Sequence, residues 1–166
     1  MPTARTESRT ETVAAPPLAL DLHWTGNRLA SVTLHFQQAR TQTPGLSPVG
    51  RAVAEALRRY VAGQPPGWPG LDLDFDALPP FTARVLRALA EQVPEGRSVT
   101  YGELAALAGS PGAARAVGQA MARNPWPLIV PCHRVLGAHG ALTGYTNPSG
   151  TDLKAWLLRH EGALEG

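Results

Sequence analysis

Hydrophobic periodicity changes once along this chain, and that change restricts the fold more than any other feature. Leu18 to Trp24 alternates apolar and polar residues, Thr25-Gly26-Asn27 makes a turn, and Arg28 to Phe36 alternates again through Leu29, Val32, Leu34 and Phe36. A period of about two puts one row of side chains in a core and the other in solvent, so these segments predict a β-hairpin with one buried face. From Phe81 onward the apolar positions Phe81, Val85, Leu89 and Val93 instead recur at helical spacing. Asp76 to Pro80 separates the two regimes. The expectation is an α+β chain: a small α/β domain over 17–78, then a mostly helical domain over 79–166. The polar segment 1–16 reads as a flexible tail.

Punctuation residues sharpen the element boundaries. Ser47-Pro48 is a helix start, a cap residue followed by proline at the first helical position, and that helix runs to about Tyr60 before Gly63 and Pro65-Pro66-Gly67 stop it. Leu71, Leu73 and Phe75 suggest one further strand. Thr100-Tyr101-Gly102-Glu103 is a capping box that opens a helix ending near Gly109. Ser110-Pro111 opens the next, whose stripe is Ala113, Ala116, Val117, Ala120 and Met121. Two short helices joined by a Gly-Ser-Pro turn have the outline of a helix-turn-helix. The outward face of the second, with Ala114, Arg115, Gly118 and Gln119, is smooth. It suits close approach to DNA, and it suits close helix packing equally well. After Asn124-Pro125-Trp126-Pro127 the chain predicts a short strand over Leu128–Val130, then a hairpin over Val135–Leu142. A final helix carries Leu153, Trp156, Leu157 and His160 on one face.

Bulk properties narrow the functional classes. With 166 residues, 43% of them hydrophobic, the chain can bury a core. Its single cysteine excludes an internal disulfide and a cysteine-rich zinc site, which points to a reducing, cytoplasmic setting. No apolar run approaches the ~20 residues of a membrane helix, and the polar N-terminal segment lacks a signal core. Of the fifteen lysine and arginine residues only Lys154 is a lysine, yet the net charge is just +2. Arginine suits phosphate contacts, but this balance only permits nucleic-acid binding.

The chemistry concentrates in Ile129-Val130-Pro131-Cys132-His133-Arg134-Val135. A lone cysteine is commonly a small buried hydrophobe. Here it follows a proline that fixes the backbone and precedes a histidine and an arginine, neighbours that favour the reactive thiolate. On extended chain, adjacent side chains point to opposite faces, so His133 would reach the sulfur only through a turn or a water. A carboxylate that orients the imidazole would complete a trio, and Glu161 in His160-Glu161-Gly162 is the candidate. Tyr101 could donate a proton or contact a phosphate, or pack as an ordinary aromatic. Asn124 could be a turn residue alone.

These residues resemble those of the O6-alkylguanine-DNA alkyltransferases. The resemblance is carried by Thr100-Tyr101-Gly102-Glu103-Leu104-Ala105, Ala113-Ala114-Arg115-Ala116-Val117-Gly118, Asn124-Pro125, Ile129 to Val135, Trp156-Leu157-Leu158 and His160-Glu161-Gly162. It covers about Phe81 to Gly162, and the N-terminal half matches only in element pattern. It implies a ribonuclease-H-like α/β domain followed by a winged-helix domain that carries the site. It also implies that Cys132 accepts an alkyl group from O6 of a flipped guanine in double-stranded DNA, once per molecule. His133 would be the base through a water, Glu161 its orienter, Tyr101 the proton donor and Asn124 the holder of the turn. Arg115 would replace the extruded base in the stack. Ala114, Gly118, Gln119 and Arg123, with Tyr101, would complete the minor-groove surface. Pro131, Val135, Tyr145 and Thr146 would line the alkyl pocket. No cofactor or metal is implied, and a monomer is expected.

One stretch departs from the family pattern. Where the family has Gly-Tyr, a small residue and Gly-Gly, this chain has Gly144-Tyr145-Thr146-Asn147-Pro148-Ser149-Gly150, and Lys154 falls about two residues late. That loop bears on substrate range. Three other readings compete: a lesion-binding relative that does not transfer, a helix-turn-helix regulator with an incidental cysteine, and a cysteine hydrolase.

Overall fold

The computed structural model describes residues 7–142 and 150–164, arranged as two compact units that divide between Asp74 and Phe75. The division falls a few residues before the boundary expected at 78/79.

The first unit is a three-stranded antiparallel sheet with one helix. Strands β1 (Ser8–Ala15), β2 (Leu18–Thr25) and β3 (Arg28–Phe36) lie in the order β1-β2-β3. The hairpin read from the alternation is β2–β3. The flexible tail is corrected: residues 8–15 form β1, paired with β2 along its length. Helix α1 (Pro48–Val61) contributes Val53, Ala56, Leu57 and Tyr60 to a core with Leu20, Leu22, Trp24 and Leu34. Ser47 is its N-cap, the side chain accepting from Gly50 N as the Ser-Pro pair predicts.

Glu11 explains why β1 escapes a periodicity reading. It stands on the core-facing row of β1 with Val13 and Ala15, 5% exposed. Its carboxylate accepts from Ser47 N at 2.6 Å and from Ser47 Oγ at 2.7 Å. A charge at the first turn of a helix is favourable on dipole grounds. Burial raises its pKa, but the Ser47 hydrogen bonds and Arg9 outweigh this and hold it below the usual value.

Leu71–Phe75 does not form the expected strand. Leu73 makes a single bridge to Leu29, and Phe75–Ala77 is a 3-10 turn. Arg28 holds the segment through Asp72 at 3.2 Å and Asp74 at 2.8 Å.

Among the described residues the second unit has four α-helices and one short ladder. Helix α2 (Pro80–Gln92) buries Val85, Leu86 and Leu89. Strand β4 (Val99–Thr100) leads directly into α3 (Tyr101–Leu107), and the Thr100/Glu103 capping box is present in both directions. Gly109, at φ 81°, ends α3 through the bonds Gly109 N to Ala106 O and Ser110 N to Ala105 O. Helix α4 (Ala114–Ala122) starts later than Ser110-Pro111 predicts. Gly112 stands at φ 87° and interrupts helical backbone, the N-cap is Ala113 with no side-chain cap, and the Ser110 hydroxyl instead accepts from Arg84 Nη2 at 2.7 Å. Val117, Ala120 and Met121 are buried, while Ala113 and Ala116 are half-buried.

Two further expectations are corrected. Leu128–Val130 is a loop, because Leu128 sits at φ 73°. Val135–Leu136 forms β5, which pairs in parallel with β4 rather than with 141–142. Ala138–Gly140 is a 3-10 turn closed by Gly137 N to Ala141 O at 2.8 Å. Helix α5 (Gly150–His160) buries Leu153, Lys154, Leu157 and Leu158. Trp156 and His160 are half-exposed instead and stack on each other at 4.7 Å. No helix among the described residues is long and apolar enough to cross a membrane.

Replacing Glu11 with alanine removes two charge-assisted hydrogen bonds and leaves Ser47 N–H without its acceptor. The expected loss of unfolding free energy is about 2 kcal/mol, measured by urea titration at neutral pH.

Candidate active site

Pro131 sets the geometry of the cysteine. With φ −82° and ψ 65° it leads into a 3-10 turn over Cys132–Arg134, closed by Cys132 N to Val130 O at 2.8 Å and Arg134 N to Pro131 O at 3.0 Å. At three residues per turn, neighbouring side chains are rotated by about 120° rather than opposed. The turn therefore removes the geometric objection to a Cys132–His133 partnership. Cys132 is in no disulfide and is 7% exposed, and His133 is 0% exposed.

Glu161 reaches His133. The chain leaves α5, Gly162 at φ 78° turns it, and the Glu161 side chain runs back to the cysteine turn. Its Oε2 lies 2.7 Å from His133 Nε2, with both side chains 0% exposed. An ionised carboxylate only accepts, so Nε2 must carry the hydrogen and Nδ1 is left as the acceptor. Among the described residues that buried Nδ1 has no hydrogen-bond partner. The trio of thiol, imidazole and carboxylate is thus in one place, with the imidazole oriented and one nitrogen open to a proton.

Two cations missing from the expected site complete it. Arg134 donates from Nε to Glu161 Oε1 at 2.8 Å and from Nη1 to Val93 O at 2.8 Å. Lys154, 1% exposed, donates from Nζ to Val135 O at 2.7 Å. Burial pulls the Lys154 amine down, and the charge of Cys132 counteracts this. That coupling works in both directions, since a nearby ammonium favours a thiolate. The sequence signals for Arg134 were its place beside the cysteine and in the family-like run Ile129 to Val135, and for Lys154 its place near the family's lysine position and its being the sole lysine.

The electrostatics favour a neutral imidazole beside an ionised carboxylate. Burial works to raise Glu161, but the hydrogen bonds and charges of His133 and Arg134 prevail and bring it to about 2. Burial lowers His133, with Arg134 and Lys154 adding to the effect and Glu161 opposing it.

The remaining expected residues occupy supporting positions. Asn124 follows α4; its Nδ2 donates to Val130 O at 2.9 Å and its Oδ1 accepts from Trp126 N at 3.0 Å, closing the loop that delivers Pro131. Trp126, 1% exposed, packs that loop against Phe75 at 5.1 Å between ring centroids. Tyr101 opens α3, with its ring edge 4.0 Å from where a β-carbon on Gly118 would stand. On α4, Arg115 and Gln119 are exposed, Ala114 and Gly118 are half-buried, and Arg123 follows the helix end in solvent. Pro131 and Val135 are buried beside the cysteine turn. Tyr145 and Thr146 lie outside the described residues, as does most of the loop that departs from the family pattern. A groove of about 580 Å³ in this unit, lined by Phe75, Arg84, Arg87 and Leu107 among others, includes none of the trio. No metal-binding cluster of His, Cys, Asp and Glu occurs among the described residues.

Residues 80–163 match the family model for the DNA-binding domain of 6-O-methylguanine DNA methyltransferase, which is half of the chain. The chain belongs to that family. It is similar to the methylated-DNA–protein-cysteine methyltransferase of Salmonella typhimurium, 54% identical over 85 residues that cover 51% of this chain and 48% of that protein. The chain therefore matches about half the length of that curated relative. It is also similar to the crystal structure of a Mycobacterium tuberculosis O6-methylguanine methyltransferase, with TM-score 0.72, 34% identity and coverage of 95% of this chain and 94% of that one. A structure of Mycobacterium tuberculosis OGT in complex with DNA aligns with TM-score 0.69 and 36% identity over 92% of this chain and 91% of that chain. The mixed α/β architecture, a small antiparallel sheet followed by helices, agrees with these family structures.

A carboxylate held near 2 stabilises the fold above its unfolded value near 4.5, and that stabilisation is lost as pH falls between the two. It is worth about 3 kcal/mol at neutral pH. Urea unfolding followed from neutral pH down to about pH 2 is expected to show wild type losing stability more steeply than Glu161→Gln across that window.

Proposed function

We propose that this chain repairs alkylated DNA by transferring the alkyl group from O6 of guanine to Sγ of Cys132. The observation that carries the reading is the buried Glu161–His133 pair beside the cysteine. His133 Nδ1 takes the thiol proton through a bridging water, and Glu161 stabilises the imidazolium that forms. The thiolate attacks the alkyl carbon and a sulfur–carbon bond forms. The carbon–O6 bond breaks, its electron pair leaves with guanine, and Tyr101 supplies the proton that neutralises the base.

The product is a thioether on Cys132. Proton transfer cannot reverse that bond, so each molecule acts once. No cofactor or metal enters these steps.

A thiol at 7% exposure cannot reach a base stacked inside a duplex, so the lesion must leave the stack. In this reading Arg115, exposed on α4, fills the gap. Tyr101, Ala114, Gly118, Gln119 and Arg123 line the minor-groove side, where small residues allow close approach. Asn124 holds the loop joining this surface to Cys132. Pro131 and Val135 line the alkyl pocket, a role the family resemblance also assigns to Tyr145 and Thr146. The similarity to a relative solved in complex with DNA supports this assignment. In this reading the first unit is ribonuclease-H-like, the second is of winged-helix type, and a monomer works in the cytoplasm.

Incubation with DNA carrying radiolabelled O6-methylguanine is expected to leave one label per molecule on wild type and none on Cys132→Ala. An intact mass unchanged after exposure to lesion DNA, with binding retained, would instead identify the lesion-binding alternative. His133→Gln is expected to slow transfer by roughly 10²-fold or more, in line with loss of a general base.

A further inference from the structure

Arg134 joins three segments. Its backbone N–H closes the cysteine turn on Pro131 O at 3.0 Å. Its side chain, 12% exposed, reaches Glu161 Oε1 at the end of α5 and Val93 O at the end of α2, each at 2.8 Å. The two oxygens of Glu161 are thereby divided: Oε1 faces the guanidinium and Oε2 faces His133.

We propose that Arg134 is a positioning residue for the acceptor site, aligning Glu161 on His133 and limiting how much negative charge that carboxylate exerts on the imidazole. The inference rests on the alkyl-transfer reading above. The mechanism there assigns Arg134 no role, and its part is indirect, exercised through Glu161.

The surrounding charges make the guanidinium decisive. From the cysteine turn, His133 is faced by Cys132 and Arg134. From α5 and its end it is faced by Lys154 and Glu161. From the loop after α2, Glu95 adds a second carboxylate near the Glu161–Arg134 pair. Burial raises Glu95, repulsion from Glu161 raises it further, and Arg134 and His160 act against this. Arg134 thus interacts with two acids, the buried Glu161 at 2.8 Å and the solvent-exposed Glu95 through charge alone, and screening by salt is weak only for the first. Without it, the imidazole alone would compensate Glu161 and would hold its proton to higher pH. The base would then be ready only in more alkaline solution. The planar fork is what allows simultaneous donation to Glu161 and Val93, and a lysine ammonium cannot reproduce it.

The test compares full-length wild type, Arg134→Lys and Arg134→Gln by two measurements. One is the pH profile of the single-turnover transfer rate on O6-methylguanine DNA. The other is the titration of the His133 imidazole by nitrogen-15 NMR in the resting protein, with the signal assigned by its loss in His133→Gln. Both midpoints are expected to rise by about one pH unit in Arg134→Gln. In Arg134→Lys they are expected to rise in the same direction by less.

A rate that falls equally at every pH, with the His133 titration unmoved, would overturn the proposal and leave Arg134 as scaffold only. Arg134→Lys keeps Glu161 paired with a cation, so it carries the comparison if Arg134→Gln does not fold. A midpoint there identical to wild type overturns the proposal as well. If wild type accepts no methyl group, the transfer reading fails on its own. The His133 titration then decides the Arg134–Glu161 coupling separately.

Discussion

The Glu161 carboxylate is the group on which the second unit of this structure depends. It lies at the carboxyl end of α5, where the helix dipole disfavours negative charge, and its side chain is removed from water. Either condition alone argues against an ionised acid. Hydrogen bonds from His133 and Arg134 reverse the balance, and the same bonds tie the ends of α5 and α2 to the cysteine turn. Breaking one arm of a buried ion pair costs more than the pair contributes, because it strands a charge. The arrangement is therefore close to all-or-none. With every partner present the imidazole is held in one tautomer; with one removed, both fold and chemistry suffer.

The other elements serve this turn at one remove. The two-residue ladder of β4 on β5 anchors Val135 directly after the Cys-His-Arg triplet and positions Thr100 as the cap of α3. The Asn124 amide spans the loop before Pro131, so the route from α4 to the thiol has few ways to move. Lys154 bonds to Val135 O on the far side of the turn. Short polar clamps of this kind suit a site that needs rigid positioning from a small domain.

Legibility in the sequence followed the range of the forces involved. The β2–β3 hairpin, the Ser47-Pro48 start of α1, the Thr100/Glu103 capping box and the Gly109 stop were readable because each depends on residues within a turn or a strand pair. Strand β1 was not, since Glu11 interrupts its apolar row and its partner Ser47 is thirty-six residues away. The start of α4 was misplaced because Gly112 takes a left-handed conformation that delays the helix to Ala114, while the Ser110 hydroxyl meets Arg84 from another helix. Leu128–Val130 had the composition of a strand, yet the Asn124 clamp closes it into a loop in which Leu128 takes a left-handed conformation. Val135 to Leu142 had the pattern of a hairpin, but Val99 and Thr100 supplied a better partner for β5.

By itself the sequence determined the change from sheet to helices, the caps and stops of individual helices, and the set Cys132, His133, Glu161, Tyr101, Asn124 and Arg115 that relates the chain to its family. These are properties of residue type and short spacing. Only the tertiary structure decided that Glu161 meets His133, that Arg134 shares the carboxylate, that Lys154 is buried beside the cysteine turn, and that Cys132 and His133 lie on a 3-10 turn. Each of those outcomes is a balance between the desolvation of a charge and the partner that meets it from elsewhere in the chain, and no local pattern records that partner.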